Sequence, residues 1–312
     1  MSALPLPAPL PAALAAWARG GGPAQPYVLL ADRPDGTVVR CGDAVAKAHA
    51  PGSDPEALAA RIRVAGSGPL AGVLLPPLRT GAVHGRTVSL WPYGTPVDPA
   101  RPEDAPWEEA ARLLAALHRT GLRDLPGPLP PMRGPAKVAR ALRRLSRAPQ
   151  SDPDGVRAVR AAAATLPDWA RGEAVPPAGA VVLCHGDLHL GQLVRHPVPD
   201  GPWRLIDVDD LGLGAPAWDL ARPAAWYAAG ILAPEAWLRF LDAYRAAGGP
   251  AAGPPGSDPW LELDLAARAL TVQTAALALA KAAPARRPLD EGERLMLDSC
   301  VRMATLRAEL EP

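Results

Sequence analysis

Residues Val181–Asp219 read VVLCHGDLHLGQLVRHPVPDGPWRLIDVDDLGLGAPAWD, and the fold of the whole chain turns on this stretch. An apolar, β-type run from Val181 to Cys184 stops at His185-Gly186-Asp187. A polar turn follows, carrying His189, Gly191 and Gln192, before Leu193 and Val194 resume the apolar character. Pro197 to Pro202 form a turn, and Trp203 to Ile206 make a second short strand that delivers Asp207, with Asp209 and Asp210 close behind. Two carboxylates at strand ends are expected to be brought together by the connecting hairpin. One carboxylate to orient a nucleophile, with a second carboxylate and an amide oxygen for a hard cation, is a set suited to phosphoryl transfer.

A single Asp after a strand is commonly a turn residue or a helix cap. The joint pattern is more specific: His-Gly-Asp, an amide five residues on, then an apolar strand ending in Ile-Asp. It resembles the catalytic segment of the aminoglycoside phosphotransferase and choline kinase family, the small-molecule branch of the kinase-like fold. The resemblance continues through Gly214-Ala215-Pro216-Ala217-Trp218-Asp219-Leu220-Ala221. Gln192 departs from the Asn usual in that family. Gln keeps the carbonyl ligand but adds a methylene, and HGDLHLGQ is similar to the form found in maltokinase and glucosamine kinase relatives.

Composition bounds the alternatives. A chain of 312 residues can bury an ample core as one large domain or two lobes. A formal net charge of +1 gives no bulk electrostatic case for nucleic acid or an anionic membrane. Cys41, Cys184 and Cys300 are scattered and lack CxxC spacing, which favours a reducing compartment over a zinc site or disulfide framework. The amino-terminal stretch has no basic residue ahead of its apolar part and is broken by Pro5, Pro7, Pro9 and Pro11, so it reads as a poor signal peptide. With no uninterrupted apolar run of about 18 residues, the expectation is a soluble, cytoplasmic protein. Of the 33 basic residues only Lys47, Lys137 and Lys281 are lysines, so each raises the question of chemistry that Arg could not perform.

Ahead of the decisive stretch, Leu10–Arg19 reads as a short helix. Tyr27–Ala31, Thr37–Cys41 and Ala44–Ala48 read as three strands joined by tight turns, and Ala71–Leu75 and Arg86–Leu90 as two more. Ser53-Asp54-Pro55-Glu56 has the form of a capping box opening a helix to about Ala65. Trp91-Pro92-Tyr93-Gly94 punctuates the end of this region. Helical patterns follow: Trp107–Arg119, a basic segment within Pro130–Ser146, Asp154–Ala170, Leu220–Ala228, Pro234–Ala247, Asp258–Lys281 and Asp290–Glu309. Lys137, Arg140, Arg143 and Arg144 on the basic helix read as a solvated face, and His118 reads as structural.

The expected architecture is therefore α+β and two-lobed like a kinase. A small antiparallel-sheet lobe spans residues 1–94 and a larger helical lobe with the catalytic segment spans 95–312. What the resemblance implies is ATP- and Mg2+-dependent phosphorylation of a hydroxyl on a small-molecule acceptor: a sugar, an amino sugar or an aminoglycoside-like compound. Asp187 would orient the hydroxyl and take its proton, while Gln192 and Asp207 would hold magnesium. Lys47 would bind the nucleotide phosphates with Glu56 as its ion-pair partner, and Trp91 and Tyr93 would lie by the base. His185, His189 and Asp219 would support the loop. Two rivals stand beside this reading. A catalytically inactive nucleotide-binding pseudokinase is suggested by the single glycine, Gly36, between the first strands and by the missing Asn. A metal-dependent hydrolase could use the same carboxylates but lacks clustered His and Asp ligands.

Overall fold

The computed structural model describes residues 8–23, 25–149, 152–179 and 181–310; the proline-broken start through Pro7 lies outside them. The chain is α+β and divides into two compact units. The first takes the described residues up to Ala105 together with Gly121–Pro130 and Gly191–Asp209. The second takes Pro106–Thr120, Pro131–Leu190 and the remainder from Asp210.

The first unit opens with helix α1 (Leu10–Arg19), closed by Gly20 at φ 62°, a left-handed cap that suits glycine. Five strands follow: β1 (Val28–Arg33), β2 (Gly36–Cys41), β3 (Ala44–His49), β4 (Arg79–Val83) and β5 (Arg86–Pro92). They form an antiparallel sheet in the order β1-β2-β3-β5-β4. The alternation of strand side chains sends Val39, Ala46, Ala48, Val88 and Leu90 into a core against Leu14 and Ala15 of α1. Lys47, between Ala46 and Ala48, therefore leaves the sheet on the other face. Gly81 on β4 meets the α1 indole so closely that a Cβ there would lie 2.8 Å from Trp17 Nε1.

Two sequence expectations change here. Ala71–Leu75 is not a strand: Leu70, Val73, Leu74 and Leu75 are buried core residues, and Leu74 makes only a single parallel bridge to Leu205. The strand is Arg79–Val83, whose largely exposed pattern hides it from a search for apolar runs. Helix α2 (Pro55–Ala65) is capped by Asp54 rather than Ser53, because Asp54 Oδ1 accepts from the N–H of Glu56 at 2.9 Å and of Ala57 at 3.2 Å.

The decisive stretch also pairs differently from the simple hairpin. β7 (Val182–Cys184) pairs with β10 (Gly212–Gly214), and both belong to the second unit. β9 (Trp203–Leu205) pairs with β8 (Leu193–Arg195), which continues to β6 (Thr95–Pro96) in the first unit. The strands that deliver Asp187 and Asp207 are thus not partners of each other.

The second unit is helical around α8 (Trp260–Ala285), which packs against α4 (Gly134–Arg147), α5 (Pro153–Ala164), α6 (Ala217–Ala228) and α9 (Glu291–Leu310). Helix α8 is long and apolar enough to cross a membrane, yet it is mostly buried within this unit, as a central core helix must be. Helix α3 (Trp107–His118) lies on α7 (Pro234–Ala246) through the edge-to-face contact of Trp107 and Phe240, 6.0 Å between centroids. Helix α5 stops at Ala164 rather than Ala170, since Pro167 disfavours helical backbone at Leu166.

Candidate functional site

The site residues form two groups, one in each unit. In the first unit, Lys47 on β3 meets the segment that follows β9. Its Nζ lies 2.7 Å from Asp207 Oδ1 and 3.0 Å from Asp209 Oδ2. Burial alone would lower the affinity of this amine for its proton, but the two carboxylates outweigh burial and hold the Lys47 pKa above its ordinary value. Asp207 adopts φ 64°, a left-handed conformation uncommon outside glycine and concentrated at functional positions.

Asp209 is braced from behind. Its Oδ1 lies 2.8 Å from His49 Nδ1, His49 Nε2 lies 2.7 Å from Ser89 Oγ, and the Trp91 indole N–H donates to the same Oγ at 2.8 Å. One tautomer satisfies every member: Nδ1–H donates to Asp209, and the Ser89 hydroxyl donates to Nε2. Burial pushes the Asp209 carboxyl up, but Lys47 and His49 together hold it below the usual carboxylate range.

Glu56 does not take the place expected of it. It stands exposed in the first turn of α2, and among the described residues the carboxylate partners of Lys47 are Asp207 and Asp209. A residue that caps a surface helix by its backbone has no need to turn inward. Trp91 and Tyr93 also have local tasks. Trp91 serves Ser89, while the Arg40 guanidinium covers the Tyr93 ring at 3.4 Å from its centroid. The Tyr93 N–H donates to Asp43 O at 2.7 Å, and its carbonyl lies 3.1 Å from His196 Nδ1.

Gln192 is buried at the end of the short turn Leu190–Gln192, and its backbone carbonyl accepts from Ile206 N–H at 2.9 Å. That bond ties the amide residue to the residue just before Asp207. The partly exposed Asp207 carboxylate and the Gln192 amide oxygen are hard oxygen donors, which fits magnesium rather than a soft metal.

In the second unit, α6 reads the His-Gly-Asp turn from one helical face. Asp219 and Arg222 stand three residues apart, so they project on the same side. Asp219 is fully buried, and its two oxygens accept the backbone N–H groups of His185 at 2.6 Å and Gly186 at 2.7 Å. His118 Nε2 adds a third contact at 3.0 Å, and His118 Nδ1 is in turn 2.7 Å from the Tyr244 hydroxyl. Burial raises the Asp219 carboxyl, but His118, His185 and the Gly186 N–H overcome it and keep the pKa lowered. Gly186 has φ 82°, and a Cβ there would fall 2.3 Å from Asp210 O, so the turn requires glycine.

Arg222 carries the reading two residues further. Its Nε donates to Leu188 O at 3.1 Å and its Nη2 to Asp187 Oδ1 at 2.6 Å. Lys137, from α4, reaches the same carboxylate at 2.7 Å and Asp210 at 2.8 Å, while Arg133 holds Asp210 from the other side at 3.2 Å. Only Arg140, Arg143 and Arg144 form the solvated face expected of this helix; Lys137 turns inward. Burial pushes the Asp187 carboxyl up, but Lys137, then Arg222 and His189, hold it well below the usual range. Leu188, His189, Arg222 and Trp226 line one small recess. A larger cavity of about 880 Å3 lies in the same unit, with walls that include Leu166, Trp260, Arg268 and Thr271 but not Asp187.

Lys137 and Arg222 escaped the sequence reading as site residues. The rarity of lysine in an Arg-rich chain pointed to the first. The i,i+3 spacing from Asp219 was the available sign of the second.

With this geometry in place, comparison with known proteins is informative. The sequence model of the phosphotransferase enzyme family matches residues 16–260. A search of curated proteins returns no match. Among solved structures, a choline/ethanolamine kinase family protein from Mesorhizobium loti has a TM-score of 0.59 at 20% identity, covering 96% of this chain and 93% of its own. Choline kinase from Cryptosporidium parvum has a TM-score of 0.64 at 10% identity, covering 91% and 90%. A thermostable mutant of an aminoglycoside phosphotransferase, solved with AMP-PNP and hygromycin B, has a TM-score of 0.57 at 14% identity, covering 91% and 94%. At these identities the structural likeness speaks for the shared kinase-like fold.

Proposed function

Because the chain belongs to the phosphotransferase enzyme family, we propose that it transfers the terminal phosphoryl group of ATP, with magnesium, to a hydroxyl of a small molecule. The acceptor classes in view are sugars, amino sugars and aminoglycoside-like compounds. The observation that carries the reading is the 2.7 Å contact between Lys47 Nζ and Asp207 Oδ1, made across 160 residues of sequence. A strand lysine and a carboxylate that follows a strand meet in this way where a site must hold both phosphate and a hard cation.

Each residue then has a task. Lys47 neutralises phosphate charge, as a compact ammonium can at close quarters. Asp209, fixed by His49, gives Lys47 a second carboxylate beside Asp207. Asp207 and Gln192 would hold magnesium, which would supply charge neutralisation at the phosphate oxygens. Asp187 accepts a hydrogen bond from the acceptor hydroxyl and finally its proton. Because its carboxyl is held at low pKa, Asp187 is a weak base, so its main contribution is orientation and the proton moves late. Asp219 gives the turn its shape through the His185 and Gly186 N–H groups, and His185 supports it from within the core. With a net charge of +1 the protein needs no nucleic acid or membrane partner for this chemistry, and a cytoplasmic setting supplies ATP.

The test is a screen of ATP consumption by the purified protein with magnesium against sugars, amino sugars, aminoglycosides and amino alcohols. Acceptor-dependent ADP release with a phosphorylated product supports the reading. ATP binding without turnover on any of these classes would favour a nucleotide-binding module.

A further inference from the structure

Both cations that meet Asp187 take the same oxygen. Lys137 Nζ and Arg222 Nη2 lie 2.7 Å and 2.6 Å from Oδ1. The cations are themselves anchored. Asp210 holds Lys137 and is held by Arg133, while the Leu188 carbonyl holds Arg222. Side-chain exposures of 11% for Lys137 and 19% for Arg222 are too low for solvated surface charges, and Asp187 keeps 27%. Fixing one oxygen from two directions fixes the plane of the carboxylate and sets the direction in which the other oxygen can accept a hydrogen bond.

We propose that Lys137 and Arg222 are positioning residues that pin Oδ1 of Asp187 so that Oδ2 receives the acceptor hydroxyl. This rests on the phosphotransferase reading and assigns the atom at which it operates. The acceptor oxygen forms a bond to the terminal phosphorus of the nucleotide. The bond from that phosphorus to the bridging oxygen breaks, and its electron pair leaves on the diphosphate. The hydroxyl proton passes to Oδ2.

A mere brace and a positioning charge differ in what they do to the carboxylate. The titratable and charged groups facing Asp187 are Lys137 from α4, Arg222 from α6 and His189 from its own turn, with Asp210 and Arg133 behind Lys137. Lys137→Met keeps most of the length and packing but removes one of the two charges on Oδ1. The Asp187 carboxyl should titrate higher by about one unit or more, as expected when an adjacent opposite charge is lost.

The experiment combines a carbon-detected NMR titration of the Asp187 carboxyl with the pH profile of kcat, on wild type, Lys137→Met, Lys137→Arg and Arg222→Gln. Thermal melts and Mg-ATP affinity serve as checks on folding. The expected result is an upward shift of both the titration and the acid limb of kcat in Lys137→Met, with kcat lowered about tenfold or more. Lys137→Arg restores the low titration, and Arg222→Gln repeats the upward shift should Lys137→Met fail to fold. A titration and acid limb unmoved in folded Lys137→Met would overturn the proposal, even with lower kcat, because that is the behaviour of a structural brace. If the titration shifts but wild type phosphorylates no acceptor, the phosphotransferase reading fails and takes the catalytic role of the pinned oxygen with it.

Discussion

Replacing Asp219 by Asn puts the support of the His-Gly-Asp turn to a quantitative test. The carboxylate is fully buried and accepts three hydrogen bonds, from the His185 and Gly186 backbone N–H groups and from His118. Asn keeps the volume but offers one oxygen and one NH2. Whichever way the amide turns, its NH2 faces a donor, and at least one buried backbone N–H loses its acceptor. A hydrogen bond to a charged group is worth about 1.5–3 kcal/mol. Because the substitution removes the charge and leaves a neutral backbone donor buried without its acceptor, this figure sets the cost. At about 2–4 °C per kcal/mol for a body of this size, the unfolding midpoint of the helical unit should fall by about 3–12 °C. Thermal melts followed by far-UV circular dichroism, with urea unfolding in parallel, measure it. A variant that melts within a degree or so of wild type would refute the view that this carboxylate holds the turn.

Other perturbations probe other contacts. Lys47→Arg keeps the charge but replaces a compact ammonium, caught between two carboxylates at 2.7 and 3.0 Å, by a planar fork; turnover should fall by about tenfold or more, and a silent variant in an ATP-consuming assay would count against its phosphate role. Gln192→Ala should raise the magnesium concentration needed for half-maximal rate more than it raises the acceptor KM, and Gln192→Asn should retain part of the rate. Asp187, Asp209 and Asp219 have folded pKa values depressed below the unfolded carboxylate value of about 4, so their stabilisation is complete above that value and is lost as pH falls through the folded values. Urea midpoints should therefore hold steady from neutral pH to about pH 5 and drop below pH 4; a flat profile down to pH 3 would contradict the ion pairs.

What the sequence could reveal depended on whether a residue is specified by its neighbours or by distant ones. His185-Gly186-Asp187 and Ile206-Asp207 are local patterns, and Gly186 is dictated by its own φ of 82°. The α+β order was likewise legible from strand-length apolar runs giving way to helical spacing. Pairing was not: β7 takes β10 and β9 takes β8, a choice set by register and tertiary contacts that leave little mark on three-residue strands. β4 was hidden because an edge strand with most of its residues exposed lacks an apolar run. The partner of Lys47 was expected on the following helix, but Asp209 and its His49 support are set by contacts across 160 residues. Lys137 looked like its exposed neighbours on α4 because a helical pattern shows the width of a polar face and not which member of it has turned inward.

The central claim is that Asp187 carries the chemistry while a separate set of residues binds the nucleotide, and Asp187→Asn tests it most directly. The substitution keeps the shape and an acceptor oxygen but removes the negative charge and the capacity to take a proton. Isothermal titration with Mg-ATP should give nearly the wild-type affinity, since Lys47, Asp207 and Gln192 are untouched. Phosphoryl transfer to the best acceptor from the screen, measured on the same preparation, should fall by about 10²-fold or more, because Asn neither orients the hydroxyl through a charged oxygen nor takes its proton. Full turnover in Asp187→Asn would contradict the account.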